Sequence, residues 1–140
     1  MHLKTITACG VALAAVLLAA APPLLAHHSF AAEYDNTQPL KLTGAVTKVS
    51  WANPHVYFFI DVKDAQTGRV ANWAFEMGAP AVLTRSGWKR SSMKIGDVVT
   101  VEGARAKDGG THGNARSVTL ASTGERLGAG SSGGDAPPAN

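Results

Sequence analysis

Apolar and polar positions alternate along much of the chain between residues 40 and 121, and the pattern predicts five short β-strands. The strongest signal is residues 56–63, which are rich in aromatic and β-branched side chains. A polar turn containing Gly68 separates this strand from a returning one. The five predicted strands cover residues 40–51 (bent near Gly44), 56–63, 70–76, 98–104 and 115–121.

If Lys63 is paired with Val70 across the turn, the register of the second and third strands is fixed. The two residue numbers of each opposite pair then add up to the same value. Side chains alternate between the two faces of a strand, so this register also assigns the faces. The predicted core face carries Phe58, Ile60, Val62, Ala71, Trp73 and Phe75. The predicted outer face carries Tyr57, Phe59, Asp61, Asn72, Ala74 and Glu76.

One short helix is predicted over residues 78–87, with Pro80 near its start and Gly87 as its stop. Trp88 follows, and we expect it to fold back as a lid on the core. Five short strands with a helix between the third and fourth predict an all-β fold, a small OB-like five-stranded barrel. The alternative fold is an open β-sandwich fragment.

The ends of the chain lack this periodicity. The predicted organisation is a signal peptide over residues 1–26, an extended N-terminal arm over 27–39, the barrel over 40–127 and a disordered tail over 128–140. A polar, Gly-rich loop is predicted over residues 107–114.

The N-terminal segment is typical of a secretory signal. Lys4 is followed by an apolar stretch over residues 11–21, a Pro22-Pro23 break and Ala26 at the expected cleavage position. We expect a periplasmic protein with no membrane association after cleavage. The alternative is an uncleaved membrane anchor over residues 6–25.

Composition narrows the class of protein. A chain of 140 residues with 45% hydrophobic and 16% charged residues is neither a charged disordered protein nor a multidomain enzyme. The net charge of +3 is scattered, so we expect no nucleic-acid binding, although Tyr57 and Phe59 supply outward aromatic rings. The one cysteine, Cys9, lies in the predicted signal, which excludes a disulfide in the mature chain.

Motifs for catalysis are weak. The tail matches GxGxxG and GxSxG within residues 128–134, but neither match follows a strand or opens a helix. Asp61 and Glu76 are interpreted as solvated acids of the outer face. No catalytic residue is predicted, and we expect a binding or accessory protein rather than an enzyme.

The positions of the histidines suggest a copper-binding site. Cleavage after Ala26 makes His27 the new N-terminus, where its amine and its imidazole can chelate one metal ion together. One further imidazole completes the nitrogen-rich set that Cu(II) prefers. His55, which Pro54 presents at the start of a strand, is the predicted third nitrogen. The weaker predicted ligands are His28 and the thioether of Met77, which the hairpin register places near His55 together with Glu76.

Two other interpretations stay open. The histidines can be purely structural, with His28 in a soluble arm, His55 capping a turn and His112 in an exposed loop. Alternatively, the protein is an interaction module without a metal, in which Tyr57 and Phe59, with Trp88 nearby, bind a partner protein or a saccharide.

Several motifs together resemble a family of small exported bacterial proteins of unknown function. They are His27-His28-Ser29-Phe30, the segments 51–56, 73–76 and 83–88, and Gly96-Asp97. The resemblance spans residues 27–127 and implies a periplasmic address and a compact β-fold, with no reaction attached. His27 alone also resembles the N-terminal histidine brace of periplasmic copper carriers and oxidative polysaccharide enzymes. The partner expected for a copper carrier is an exported oxidoreductase or another periplasmic protein.

Overall fold

The computed structural model describes residues 30–130. Within that range the chain forms two short helices and six strands. In chain order they are α1 (Phe30–Glu33), β1 (Tyr34–Ser50), β2 (Tyr57–Lys63), β3 (Val70–Glu76), α2 (Pro80–Arg85), β4 (Val98–Ala106), β5 (His112–Leu120) and β6 (Arg126–Gly128). The predicted signal peptide and the residues after 130 lie outside the described part of the chain.

The sheet closes on itself. Its strand order is β3-β2-β1-β4-β5-β6, and a parallel pairing of β3 with β5 joins the two ends of the five-stranded part. All other neighbours are antiparallel. This is the ring order of an OB-type barrel, irregular because the closing contact spans three residue pairs. The predicted OB-like barrel is confirmed, and the open sandwich is excluded.

β1 is the longest of the six strands. It contains 17 residues, and it pairs with β4 through its first part and with β2 through its last part. Gly44 lies where β1 approaches β2 closely, because a Cβ atom there would clash with the backbone carbonyl of Asp61. The strand begins at Tyr34, however, so residues 34–39 belong to the barrel and not to a separate arm.

The β2–β3 hairpin has the predicted register. Lys63 lies opposite Val70 and Tyr57 opposite Glu76. Phe58 and Phe75 of the core face are fully buried, and their rings stack with centroids 5.4 Å apart. The ladder continues beyond the strands, because the amide of Met77 donates to the carbonyl of Val56 at 2.8 Å.

α2 is shorter than the predicted helix over residues 78–87, because it ends at Arg85 with Ser86 as its C-cap, and the predicted stop residue Gly87 follows. Gly87 has a φ of 95°, a left-handed conformation that glycine adopts without strain. The turn brings Trp88 back onto the barrel, where the indole is 1% exposed and donates to the carbonyl of Gly128 at 2.8 Å. Trp88 is thus part of the core, as expected of a residue that folds back as a lid, and it presents almost no surface to a partner.

The C-terminal boundary also differs from the prediction. β6 pairs with β5, and Ala129, just beyond it, is fully buried. The amide of Ala129 donates to the carbonyl of Arg116. Residues 128–130 therefore belong to the domain and not to a disordered tail.

A membrane-spanning helix is not found within residues 30–130. The longer of the two helices, α2, has six residues.

Candidate functional site

His55 lies at the entrance to β2, after the cis Asn53–Pro54 peptide bond. The neighbouring Val56 is fully buried on the core face, so alternation directs His55 to the outer face. Its side chain keeps 29% of its surface exposed, and its Nδ1 atom contacts Oε1 of Glu76. His55 is thus an anchored imidazole at the surface of the barrel, rather than a free turn residue.

Glu76 is the centre of the site. It is the last residue of β3, it is 9% exposed, and it lies where the barrel closes, paired with Tyr57 on one side and Asn114 on the other. Its second oxygen, Oε2, accepts a hydrogen bond of 2.7 Å from the hydroxyl of Tyr34. The interpretation of Glu76 as a solvated acid is therefore wrong, because barrel closure and the Tyr34 side chain cover it.

Tyr34 connects this carboxylate to the N-terminal end of the described chain. It is 5% exposed, and its ring lies 5.3 Å from that of Phe30, the first residue of α1. Burial raises the pKa of the Tyr34 phenol well above its usual range, and the hydrogen bond to Glu76 raises it further. The phenol consequently stays a neutral donor to the carboxylate at physiological pH.

Tyr57 adds a second phenol beside Glu76. Burial, followed by the charge of Glu76, raises the pKa of Tyr57 to about 12. The side chain is nonetheless 37% exposed and lies at an open depression of about 740 Å³. The other residues that line the depression are Ala32, Glu33, Lys107, Asp108 and His112.

His112 lies on the far side of the same depression. It is the first residue of β5, paired with Ala74 of β3, and its Nε2 atom is 3.6 Å from the carboxylate of Asp108. The polar loop predicted over residues 107–114 is therefore shorter, and His112 is a strand residue with a half-buried side chain.

The family of this protein is decided by a sequence match. The sequence pattern of DUF6152, a family of unknown function, matches residues 14–116. The chain belongs to the DUF6152 family. This confirms the resemblance to a family of unknown function that the motifs indicated.

Other known proteins add little. No curated protein matches the chain. The crystal structure of the mitochondrial single-stranded DNA binding protein Rim1 from S. cerevisiae is similar, with a TM-score of 0.47 and 10% identity over 60% of this chain and 93% of that one.

The structure of this DUF6152 member describes only some of the predicted copper ligands. His27 and His28 lie outside the described residues. His55 lies beside Glu76, as the register predicted. Met77 is 1% exposed and belongs to the core cluster, and its role as a thioether ligand stays a prediction. Within residues 30–130, no three His, Cys, Asp or Glu side chains are grouped closely enough to hold a metal ion by themselves.

The predicted aromatic surface is partly present. Tyr57 is exposed, whereas Phe59 is half-buried and has the ammonium of Lys48 5.2 Å from its ring centroid. Sequence reasoning missed Tyr34, because it was assigned to the arm. Its spacing of four residues from Phe30, which brings the two rings together, was the available signal.

Proposed function

We propose that the protein is an exported, periplasmic accessory protein that binds copper through the mature N-terminal His27 and through His55. The His27 amine and ring would form a bidentate chelate, and His55 would supply the third nitrogen. The bound metal would be carried or buffered and passed to an exported oxidoreductase. The observation that carries the proposal is the anchored imidazole of His55.

The contact with Glu76 sets the chemistry of the His55 ring. With a proton on Nδ1 donated to the carboxylate, the neutral imidazole keeps its lone pair on Nε2. Histidines that bind metals almost always donate their other ring N–H in this way, to a carboxylate or a carbonyl, which orients the ring and increases its basicity. Glu76 is a positioning residue in this arrangement, and Tyr34 fixes Glu76 in turn.

The chain length between the two proposed ligands is compatible with one site. His27 precedes Phe30 by three positions in the sequence (30 − 27). Three extended residues span at most about 10 Å. Phe30 contacts Tyr34, and Tyr34 contacts the same carboxylate that holds His55. The chain length therefore supports the proposal, since only three positions separate His27 from a ring that contacts Tyr34.

The donor set favours Cu(II) over harder metals. One amine and two imidazoles are nitrogen ligands, which suit copper, whereas Mg²⁺ and Ca²⁺ require oxygen ligands. His28 remains the alternative imidazole. The thioether of Met77 is buried in the core, so the proposal is framed for Cu(II) and its nitrogen donors.

The direct test compares protein secreted to the periplasm with a version that carries the additional residues Gly-Ser-Gly before His27. A single added residue is avoided, because it would make His28 the third residue of the chain and so create a new amino-terminal Cu(II) site. Intact mass first establishes whether the secreted chain begins at His27. Cu(II) affinity is then measured by competition with a chelator of known strength. The native start is expected to bind one Cu(II) at least about tenfold more tightly than the extended version, because the extension moves the free amine away from the ring.

Two further variants give a matched pair of histidine controls. His55→Ala is expected to weaken Cu(II) binding about as much as the extension, whereas His112→Ala is expected to leave it unchanged. Equal affinity in the native-start and extended proteins, or a mature chain that starts at another residue, contradicts the ligand set.

A saccharide-binding module is the second candidate, favoured by the depression beside Tyr57. An exposed aromatic ring next to carboxylates, here Glu33 and Asp108, suits a polyhydroxyl ligand, which stacks on the ring and donates its hydroxyls. Tyr57→Ala together with Phe59→Ala should then abolish retention on immobilised oligosaccharides. Unchanged retention, or no retention by the parent protein, contradicts this candidate.

A further inference from the structure

We propose that a groove over β1, β4, β5 and β6 binds a small ligand with a dianionic head group of the phosphate-monoester class. The residues that define this Glu102 groove are Leu40, Lys41, Glu102, Arg116, Ser117 and Arg126. The groove has a volume of about 530 Å³, within the range of small-ligand sites. It shares no residue with the His55 site, so it stands apart from the proposed copper function.

Two irregularities of the sheet build the groove. β1 and β4 lose their register between Asp35 and Pro39, so residues 36–38 bulge out of the ladder. A second register shift, opposite Glu102 and Gly103, leaves Arg116 as an additional residue in β5. Bulges re-aim side chains. The two bulges meet, because the Arg116 guanidinium donates to the side-chain oxygen of Asn36.

The charges in the groove do not balance. Glu102 accepts from Lys41 at 3.0 Å through one oxygen and from Arg126 at 2.6 Å through the other. These two cations hold the pKa of the Glu102 carboxyl below its usual range. Arg116 contributes a third positive charge with a neutral partner. The lining residues therefore carry two positive charges in excess, which matches the charge of about −1.5 to −2 on a phosphate monoester at neutral pH.

The Arg116 guanidinium has an N–H donor that no acceptor within the described residues satisfies. Its Nε atom is buried and has no hydrogen-bond partner within residues 30–130. A guanidinium has five N–H donors, and a buried donor without a partner is costly. An oxyanion in the groove would accept from such donors, as arginine typically does with phosphate in a bidentate contact.

The three cations also approach from different strands. Lys41 lies on β1, Arg116 on β5 and Arg126 on β6. A tetrahedral phosphate presents oxygens in several directions, whereas a planar carboxylate presents two. Leu40 and Pro39 add an apolar portion to the lining, which can contact the organic part of a monoester.

The test is calorimetric titration of the full secreted protein in low-salt buffer with EDTA present, which keeps copper out of the measurement. The probes are glucose 6-phosphate, inorganic phosphate and succinate. We expect one saturable site, with the sugar phosphate bound most tightly, inorganic phosphate next and succinate weakest. Succinate binding more tightly than both phosphates, or no saturable binding of any probe, overturns the proposal.

Charge-matched variants locate the site. Arg116→Gln is expected to weaken sugar-phosphate binding at least tenfold, whereas Arg85→Gln, which removes the same charge from the exposed end of α2, is expected to leave it unchanged. Equal weakening by both variants would reveal nonspecific attraction and overturn the proposal. Should Arg116→Gln not fold, Lys41→Gln replaces it, because this side chain is 70% exposed, and a severalfold loss of affinity is expected.

Discussion

Two carboxylates on different strands of the barrel, Glu76 on β3 and Glu102 on β4, show how surroundings decide what the same chemical group does. Glu76 is buried and contacts a histidine and a tyrosine, whereas Glu102 is 37% exposed at its side chain and contacts a lysine and an arginine. Water competes for every contact of Glu102 but for few of those of Glu76. Glu76 therefore holds the side chains of His55 and Tyr34 in place. The cationic side chains of Lys41 and Arg126 that contact Glu102 stay accessible to a ligand.

The largest difference is expected when each carboxylate is truncated. Glu76→Ala leaves the Tyr34 hydroxyl and the His55 ring without their acceptor in a half-buried site, and should lower the free energy of unfolding by about 2–3 kcal/mol. Glu102→Ala, the matched control, should cost less than about 1 kcal/mol, as is usual for exposed ion pairs. Urea denaturation measures both. Equal losses would show that the two sites do not differ as described.

The next largest effect is expected from removing one hydroxyl. Tyr34→Phe keeps the ring against Phe30 but deletes the 2.7 Å hydrogen bond to Glu76, so we expect a loss of about 1–2 kcal/mol. Tyr57→Phe removes a hydroxyl from a more exposed position and should cost less than about 0.5 kcal/mol. The same urea measurement applies, and a larger loss for Tyr57→Phe would contradict the central place of Tyr34.

Alkaline pH should destabilise the Glu76 side of the barrel. The pKa values of Tyr34 and Tyr57 are raised above the ordinary value of 10.0, so above that pH the unfolded chain releases protons that the folded chain retains. Stability present below pH 10 is then lost as the pH rises toward about 12, where Tyr57 also ionises in the folded protein. Thermal unfolding across this range measures the slope. Tyr34→Phe should have a shallower slope than the parent, and an unchanged slope would exclude Tyr34 as its source.

High salt should produce the smallest change in the free energy of unfolding, and only through the contacts of Glu102. In about 1 M NaCl, where the screening length falls to about 3 Å, the difference in stability between the parent and Glu102→Ala should shrink toward zero. The difference for Glu76→Ala should persist, because its partners are buried. Loss of both differences in salt would place Glu76 in a solvated site.

The local parts of the fold were predictable, and the non-local parts were not. The register of the β2–β3 hairpin follows from alternation and a tight turn, which involve neighbouring residues. The start of β1 was missed because the polar residues 35–38 bulge, which hides the period. Its partner β4 lies about sixty residues later in the chain, and no short-range pattern reports such a pairing.

The same distinction between local and non-local contacts explains which parts of the candidate site were predictable from the sequence. The proximity of His55 and Glu76 follows from the hairpin register. The register also places Met77 opposite Val56, on the core face, so the burial of its side chain was predictable from the sequence. The burial of Glu76 was not predictable, because it depends on Tyr34, which lies 42 positions away in the sequence, and on the β3–β5 closure.

The central proposal is that His55, oriented by Glu76, would bind Cu(II) together with His27. Pulsed electron paramagnetic resonance of the copper-loaded mature protein counts coordinated imidazoles through their remote nitrogens. The account predicts two imidazoles in the parent protein and one in His55→Ala. An unchanged count in His55→Ala would contradict it.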